Sequence, residues 1–384
     1  MAAGDKSTDQ QTGLLPAGLR DVLHPQAEND ARASEIIMSC LSSFGYQRVE
    51  PPLVEFEDSL LSDKLGAALS DKTFRLLDPL SHKMMALRAD MTAQMARISG
   101  TRLAHLPRPL RLSYCGAVMR VVPDVLNPER QMVQAGAEYI GASDAVACAE
   151  MISLAVHALG QTGITELTID MGIPYLFDEM IGDVSDDDRM VLDEAIRSRD
   201  TDALRRLSVP QAALLADLVT AAGQDSAAIA ALADKVDGKA AYLIRQVLEV
   251  ESILHQIWPA LPITLDLLDR RDADYHQGLH FAIYGKGLRG EIARGGAYVT
   301  GFGEPATGLS IYMERVLRAL PAAEQAPRIY VSASAGLPTA MALVARGRDV
   351  VMGQADCQDD EAAAHEQGCR FIMRSADGMP EALE

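Results

Sequence analysis

The sequence predicts an α+β protein: a largely antiparallel sheet core flanked by helices, interrupted by a helical insertion and followed by a short α/β segment. Three observations carry this. Short strand-like segments cluster between Phe74 and Ile140 and resume at His280. Between them, residues 175–262 turn rich in Ala, Leu and Asp, lose β-branched runs and repeat helical spacing, as at Leu214, Leu215 and Leu218. After Pro327 the order becomes strand, helix, strand, which is small α/β patterning.

Taken along the chain, residues 1–13 are polar and read as a disordered leader, with no apolar stretch of the kind a signal peptide needs. Pro25 to Phe44 reads as an amphipathic helix, since Ile36, Ile37, Cys40, Leu41 and Phe44 form one apolar stripe, and Gly45 is placed to end it in the left-handed conformation. Tyr46–Val49 is a short strand closed by Pro51-Pro52, as suits an edge. Phe74–Leu77, Met84–Leu87, Leu110–Tyr114 and Met132–Ile140 are strands, with a helix after Met91. A helix follows over Ala145–Leu159, its apolar face made of Val146, Ala149, Ile152 and Val156, and then a strand over Leu167–Met171. Beyond the insertion, His280–Tyr284 and Glu291–Ala293 form a hairpin marked by Gly285, Gly287 and Gly290. Leu309–Leu320 reads as a helix ended by Pro321. The expected organisation is a core over 14–174 and 263–320, an insertion over 175–262 and a tail domain over 327–384.

Composition narrows the function. Among 384 residues, 35 Lys+Arg against 54 Asp+Glu leave a net charge of −19. Such a surface repels a phosphate backbone, which disfavours extensive nucleic-acid binding. No apolar run approaches the ~20 residues that span a bilayer, so the expected setting is the cytoplasm. The five cysteines are scattered and none has CxxC spacing, which indicates neither a zinc site nor a disulfide framework. Walker A, Rossmann and nucleophile-elbow patterns are absent, and no cofactor is expected.

Four clusters carry polar chemistry. In Leu87-Arg88-Ala89-Asp90-Met91-Thr92, a carboxylate and a hydroxyl stand two residues apart at a strand end. They can receive an ammonium group, or Asp90 can simply cap the following helix. Arg120 precedes a Pro- and Asn-rich loop and then Arg130 to Glu138, in which Gln134, Gly136 and Glu138 share one strand face. That face is either a ligand surface or a solvent-exposed one. Arg270 to Gly278 holds Tyr275 and His276 among charges that also suit an ion-pair network. Arg294-Gly295-Gly296-Ala297-Tyr298 allows a tight turn and close backbone approach.

The order of these clusters resembles the histidyl-tRNA synthetase family, class II, from about Leu14 to Leu320. Gly18 to Asp21 resembles its opening GxRD, and Tyr46 to Glu55 its motif 1, which forms the dimer interface. Leu87 to Thr92 resembles the strip that holds the amino group of histidine. Arg120 and Arg130-Gln131 match the ends of motif 2, and Gln134 and Glu138 match substrate-histidine contacts. Arg271 to Gly278 resembles the histidine-specific segment, Tyr298 the tyrosine of GGRYD, and Gly308 to Arg315 motif 3. The resemblance thus implies a histidine pocket made of Asp90, Thr92, Arg120, Gln134, Glu138, Arg271, Tyr275, His276 and Tyr298.

The departures matter equally. Val122 replaces the motif 2 carboxylate, Asn127-Pro128 the loop Gly-Arg, Ala297 the arginine of GGRYD, and His276 the second tyrosine of the histidine-specific segment. Only Pro327 to Glu384 remains of an anticodon-binding domain. A chain that keeps the amino-acid pocket while losing activation and tRNA reading is similar to the synthetase-like regulatory subunits of ATP phosphoribosyltransferase. That resemblance implies a non-catalytic role in histidine biosynthesis, with a homodimeric core joining a short-form catalytic subunit in a hetero-octamer and L-histidine as feedback ligand. Two alternatives stand beside it: an active histidyl-tRNA synthetase and a free-standing histidine sensor.

Overall fold

A computed structural model describes residues 14–61, 64–123, 128–223, 226–270, 277–320 and 326–383. The chain forms two compact units that divide after Pro321. The leader expected over 1–13 lies outside the described residues.

The large unit is built on an eight-stranded sheet. Its strands in chain order are β1 (Gln47–Arg48), then β5 (Leu110–Met119), β6 (Gln131–Ile140), β7 (Leu167–Gly172), β8 (Ile263–Leu265), β9 (His280–Gly285), β10 (Ala293–Val299) and β11 (Pro305–Tyr312). The intervening β2 (Val54–Phe56), β3 (Arg75–Leu77) and β4 (Met84–Leu87) make a separate antiparallel ribbon, ordered β2-β4-β3. The sheet order is β1-β5-β6-β11-β10-β9-β7-β8; its interior is antiparallel, and only the edge pairs β1·β5 and β7·β8 are parallel.

Period-2 alternation divides the two faces. Ala135 and Ala137 of β6, with Leu309 and Ile311 of β11, join the core that packs under helices Gln26–Ser43 and Ala145–Gln161. The alternate residues Met132 and Ile140, with Leu112, Tyr114 and Tyr298, form a second cluster under helix Thr92–Gly100. Gln134 and Glu138 fall between Met132 and Ile140 on that second face. The first helix buries Ala33, Ile37, Met38 and Leu41 at helical spacing and stops at Gly45, whose φ of +85° only glycine adopts without strain.

Between β7 and β8, the described residues form six helices: Leu176–Ile181, Asp186–Arg197, Thr201–Arg206, Ala212–Ala221, Ser226–Ala233 and Gly238–Ile257. The breaks follow from capping, because the Ser185 hydroxyl accepts from the Asp188 N–H and the Asp200 carboxylate from the Ala203 N–H. Leu192, Leu204, Leu215, Ile244 and Val247 are buried in the same cluster as the sheet residues.

The small unit carries β12 (Ile329–Val331), β13 (Val350–Met352), β14 (Phe371–Met373) and β15 (Glu381–Ala382) in the order β13-β12-β14-β15, parallel but for the last. Alternation again sets the layers: Ile329 and Val331 pack with Ala340 and Leu343 of helix Gly336–Ala345, whereas Tyr330 packs with Ala364 of helix Asp360–Glu366.

Three sequence expectations need correction. Leu309–Tyr312 is strand, not helix; the helix begins at Met313 and runs to Ala319. The run of apolar residues there fits both periods, and seven-residue pairing with β6 and β10 decides for strand. Gly295-Gly296 lies inside β10 rather than at a turn, because a Cβ on Gly295 would meet the Gly308 carbonyl oxygen at 2.0 Å and the Phe281 ring at 2.5 Å. Val146 is exposed, so the face of its helix is carried by Ala149, Ile152 and Val156.

Gly295→Ala should therefore lower stability by about 1–3 kcal/mol, since the obstructing atom is backbone and cannot turn aside. Chemical denaturation should show a lower midpoint at unchanged slope.

Candidate functional site

The site is assembled on the second sheet face by three strands and the turn ahead of helix Thr92–Gly100. Gln134 sits on β6 and is 1% exposed. Its Nε2 donates to Asp90 Oδ2 at 2.9 Å and to Ser310 Oγ at 2.7 Å, and its Oε1 accepts the Met91 N–H at 3.1 Å. One amide thus ties β11 to the strip that β4 delivers. Asp90 also uses its other oxygen locally, accepting the Thr92 N–H at 2.8 Å. Asp90 thus turns one oxygen to the backbone two residues on and the other to Gln134, while Met91 stands at the N-cap of the helix.

Glu138, two pairs along β6, is wholly buried. Tyr298 on β10 donates its hydroxyl to Glu138 Oε2 at 2.8 Å. Glu138 Oε1 has no well-formed hydrogen bond among the described residues. Burial pushes the carboxyl up to about 8; the Tyr298, Thr92 and Tyr114 hydroxyls pull it down, and the Asp90 charge raises it. Burial thus favours the protonated carboxyl at Glu138. The neighbouring strand makes room for the carboxyl with a glycine, since a Cβ on Gly308 would lie 2.4 Å from Glu138 Oε2.

Sequence reasoning missed two contributors. Tyr114 is fully buried, with its hydroxyl 3.2 Å from Ser310 Oγ and 3.3 Å from the Leu309 carbonyl oxygen. Its ring covers Gly136, its cross-strand partner, where a Cβ would lie 2.5 Å from the ring. The large-small pairing of Tyr114 with Gly136 was the available signal, and it emerges only once the β5–β6 register is known. Ser310 carried no local signal.

The structure brings Asp90, Thr92, Gln134, Glu138 and Tyr298 together. Arg120 stands beside them: its Nε donates to the Ala89 carbonyl at 3.2 Å, and it lines a pocket with Tyr312, Glu291, Arg294, Glu314 and Arg315. Arg315 donates to the Glu291 carbonyl and stacks over Tyr312 at 5.0 Å. Arg271, Tyr275 and His276 lie outside the described residues. The reading of Gln134 and Glu138 as a solvent-exposed face is excluded by their burial.

Chemically, the described groups offer carboxyl and amide acceptors to an ammonium or an imidazole N–H. Among the described residues, no cluster of His, Cys, Asp and Glu suits a metal ion.

Comparison with known proteins gives the family and the fold. The family model described as histidyl-tRNA synthetase matches residues 18–316. A protein of Paramagnetospirillum magneticum named ATP phosphoribosyltransferase regulatory subunit is 41% identical, over 96% of this chain and 97% of its own. One of the same name from Rhodospirillum centenum is 40% identical over 96% of each. Among solved structures, an ATP phosphoribosyltransferase regulatory subunit/histidyl-tRNA synthetase from Bacillus halodurans C superposes with TM-score 0.80 at 22% identity, covering 95% of this chain and 98% of that one. A histidyl-tRNA synthetase from Nostoc sp. PCC 7120 gives TM-score 0.73 at 17% identity, covering 94% and 90%.

Glu138 should leave a mark on stability against pH. The unfolded carboxyl ionises near 4.5, whereas the folded one keeps its proton to about 8, so between those values the folded state binds the extra proton and stability falls as pH rises. Unfolding titrations of Glu138→Gln and the unsubstituted protein from about pH 5 to 8 should diverge by on the order of 1 kcal/mol or more, with the variant flatter.

Proposed function

We infer the function from one fact: the chain belongs to the histidyl-tRNA synthetase family, on the branch of the ATP phosphoribosyltransferase regulatory subunits. It acts as a regulatory, non-catalytic subunit of ATP phosphoribosyltransferase in histidine biosynthesis. Its partner is the catalytic subunit of that enzyme.

The buried acceptor set is the observation that carries the ligand. L-histidine would place its ammonium or imidazole against Asp90 and Glu138, with Gln134 and Thr92 fixing those groups and Tyr298 orienting the Glu138 carboxyl. Arg120 and Arg271 would meet the carboxylate, which a guanidinium grips with paired donors, and Tyr275 and His276 would complete the pocket. Binding of a cationic group beside Glu138 would displace its proton. Feedback then requires histidine to bind two states of the assembly with different affinity.

The homodimer is supported by the ribbon β2-β4-β3, which leaves Phe56, Leu77, Leu80 and Met84 exposed together with Leu53 ahead of it. A hetero-octamer with short-form catalytic subunits fits the same reading. The cytoplasm is the expected location, and among the described residues no helix is long and apolar enough to cross a membrane. Synthetase activity is disfavoured by the departures at Val122, Asn127-Pro128 and Ala297, which remove charged groups that the synthetase motifs carry.

The deciding experiment measures ATP phosphoribosyltransferase activity of the short catalytic subunit with and without this chain, titrated with histidine. Activation through a stable complex, reversed by histidine, is expected. No complex and no effect, together with histidine-dependent ATP–pyrophosphate exchange, would establish the synthetase instead. In calorimetry, Glu138→Ala should weaken histidine binding by about one to a few kcal/mol, and unchanged affinity would remove Glu138 from the pocket.

A further inference from the structure

One buried charge stands outside the ligand set. Arg88 is 6% exposed, and no described carboxylate forms an ion pair with it. Its guanidinium is spent on carbonyl and amide oxygens instead: Nε donates to Ala117 at 2.7 Å, and Nη1 to Pro51 at 2.9 Å and to Gln94 Oε1 at 3.4 Å. The Nη2 end lies over Gly116, where a Cβ would approach it to 2.4 Å. Gln94 extends the connection, its Nε2 donating at 2.8 Å both to the Pro52 carbonyl and to Glu55 Oε1, which also receives Arg97.

The backbone around Arg88 runs directly into the ligand strip. The Arg88 N–H donates to the Leu53 carbonyl, and its own carbonyl accepts the Met119 N–H at the end of β5. One residue on, the Ala89 carbonyl holds Arg120; two residues on stands Asp90. Arg88 therefore touches three things at once: the Pro51–Pro52 segment leading into β2, the end of β5, and the strip ending in Asp90 and Thr92. Burying a guanidinium is costly; the Glu50 and Glu55 charges offset that only in part and without a direct ion pair, and a methionine or leucine would fill the same space more cheaply. What it alone provides is a fork that fixes the mutual register of those segments.

We propose that Arg88 is a positioning residue that couples the ligand strip to the ribbon β2-β4-β3 through Pro51, Gln94 and Glu55, so that ligand occupancy and ribbon packing report on each other. The inference rests on histidine as the ligand of the Asp90–Glu138 site. It assigns the exposed ribbon as the element whose stability histidine alters.

Hydrogen exchange of the full-length chain, with and without saturating L-histidine, reads this coupling. In the unsubstituted protein, exchange should slow both at residues 90–92 and in the ribbon at 54–56 and 84–87. Arg88→Met should weaken histidine binding about tenfold by calorimetry, and at saturation should lose the slowing in the ribbon while keeping it at the strip. Gln94→Met is the gentler variant, because it leaves the Arg88 bonds to Ala117 and Pro51 in place. It should bind histidine within about twofold of the unsubstituted chain and reduce the ribbon response by half or more. A purely structural role would raise ribbon exchange equally with and without histidine. Ribbon slowing that is absent from the unsubstituted protein despite calorimetric binding, or that persists undiminished in both variants, overturns the coupling. An unsubstituted chain that binds no histidine overturns the ligand reading itself.

Discussion

The burial of the Glu138 carboxyl on the face of an antiparallel sheet is the constraint around which this site is arranged. A carboxyl with no solvent and one hydroxyl donor of good geometry is expensive to keep, and the surrounding residues are chosen to accommodate it. Gly308 on β11 leaves the space into which it folds, and Tyr298 on β10 supplies the donor. Tyr114 closes the face over Gly136, and Gln134 keeps the Asp90 charge at a fixed place nearby. The molecule accepts a strained electrostatic arrangement at one point of its sheet, while the opposite face, a conventional apolar layer under two long helices, supplies stability without polar demands.

Much of this was legible in the sequence because strand periodicity is strict. Period 2 alone placed Gln134, Gly136 and Glu138 on one face. It could not say whether that face is wet or dry, since the answer depends on helix Thr92–Gly100 and on Tyr114 from another strand. The pairing of Asp90 with Gln134, 44 positions apart, is visible only through the ordered resemblance of the motifs or in three dimensions. Leu309–Tyr312 shows the opposite failure: a short apolar run fits helix and strand alike, and the neighbouring strands make the choice. Gly295-Gly296 was recognised as a place of close approach, but what approaches is another strand of the sheet.

The polar machinery divides into two neighbouring parts of different character. Around Glu138 the groups are neutral or acidic, buried and joined by hydroxyl and amide contacts. Around Arg120 they are alternately basic and acidic, with Arg294 paired to Glu291 at 3.7 Å. The amino-acid ligand proposed above calls for the first. The net charge of −19 opposes capture of a phosphate backbone.

The helices between β7 and β8 bury Leu192, Leu215, Ile244 and Val247 in the cluster that holds Ile169, Phe281 and Ile311 of the sheet. The segment is consequently no detachable cassette. Excising it, or exchanging it for a helical module of other shape, would uncover helix Ala145–Gln161, against which Gly238–Ile257 packs and which itself covers the apolar side of β6, β10 and β11. The polar face around Glu138 and the interior lining are two sides of one sheet, so a change in the insertion reaches Glu138 through helix Ala145–Gln161 and a single backbone layer.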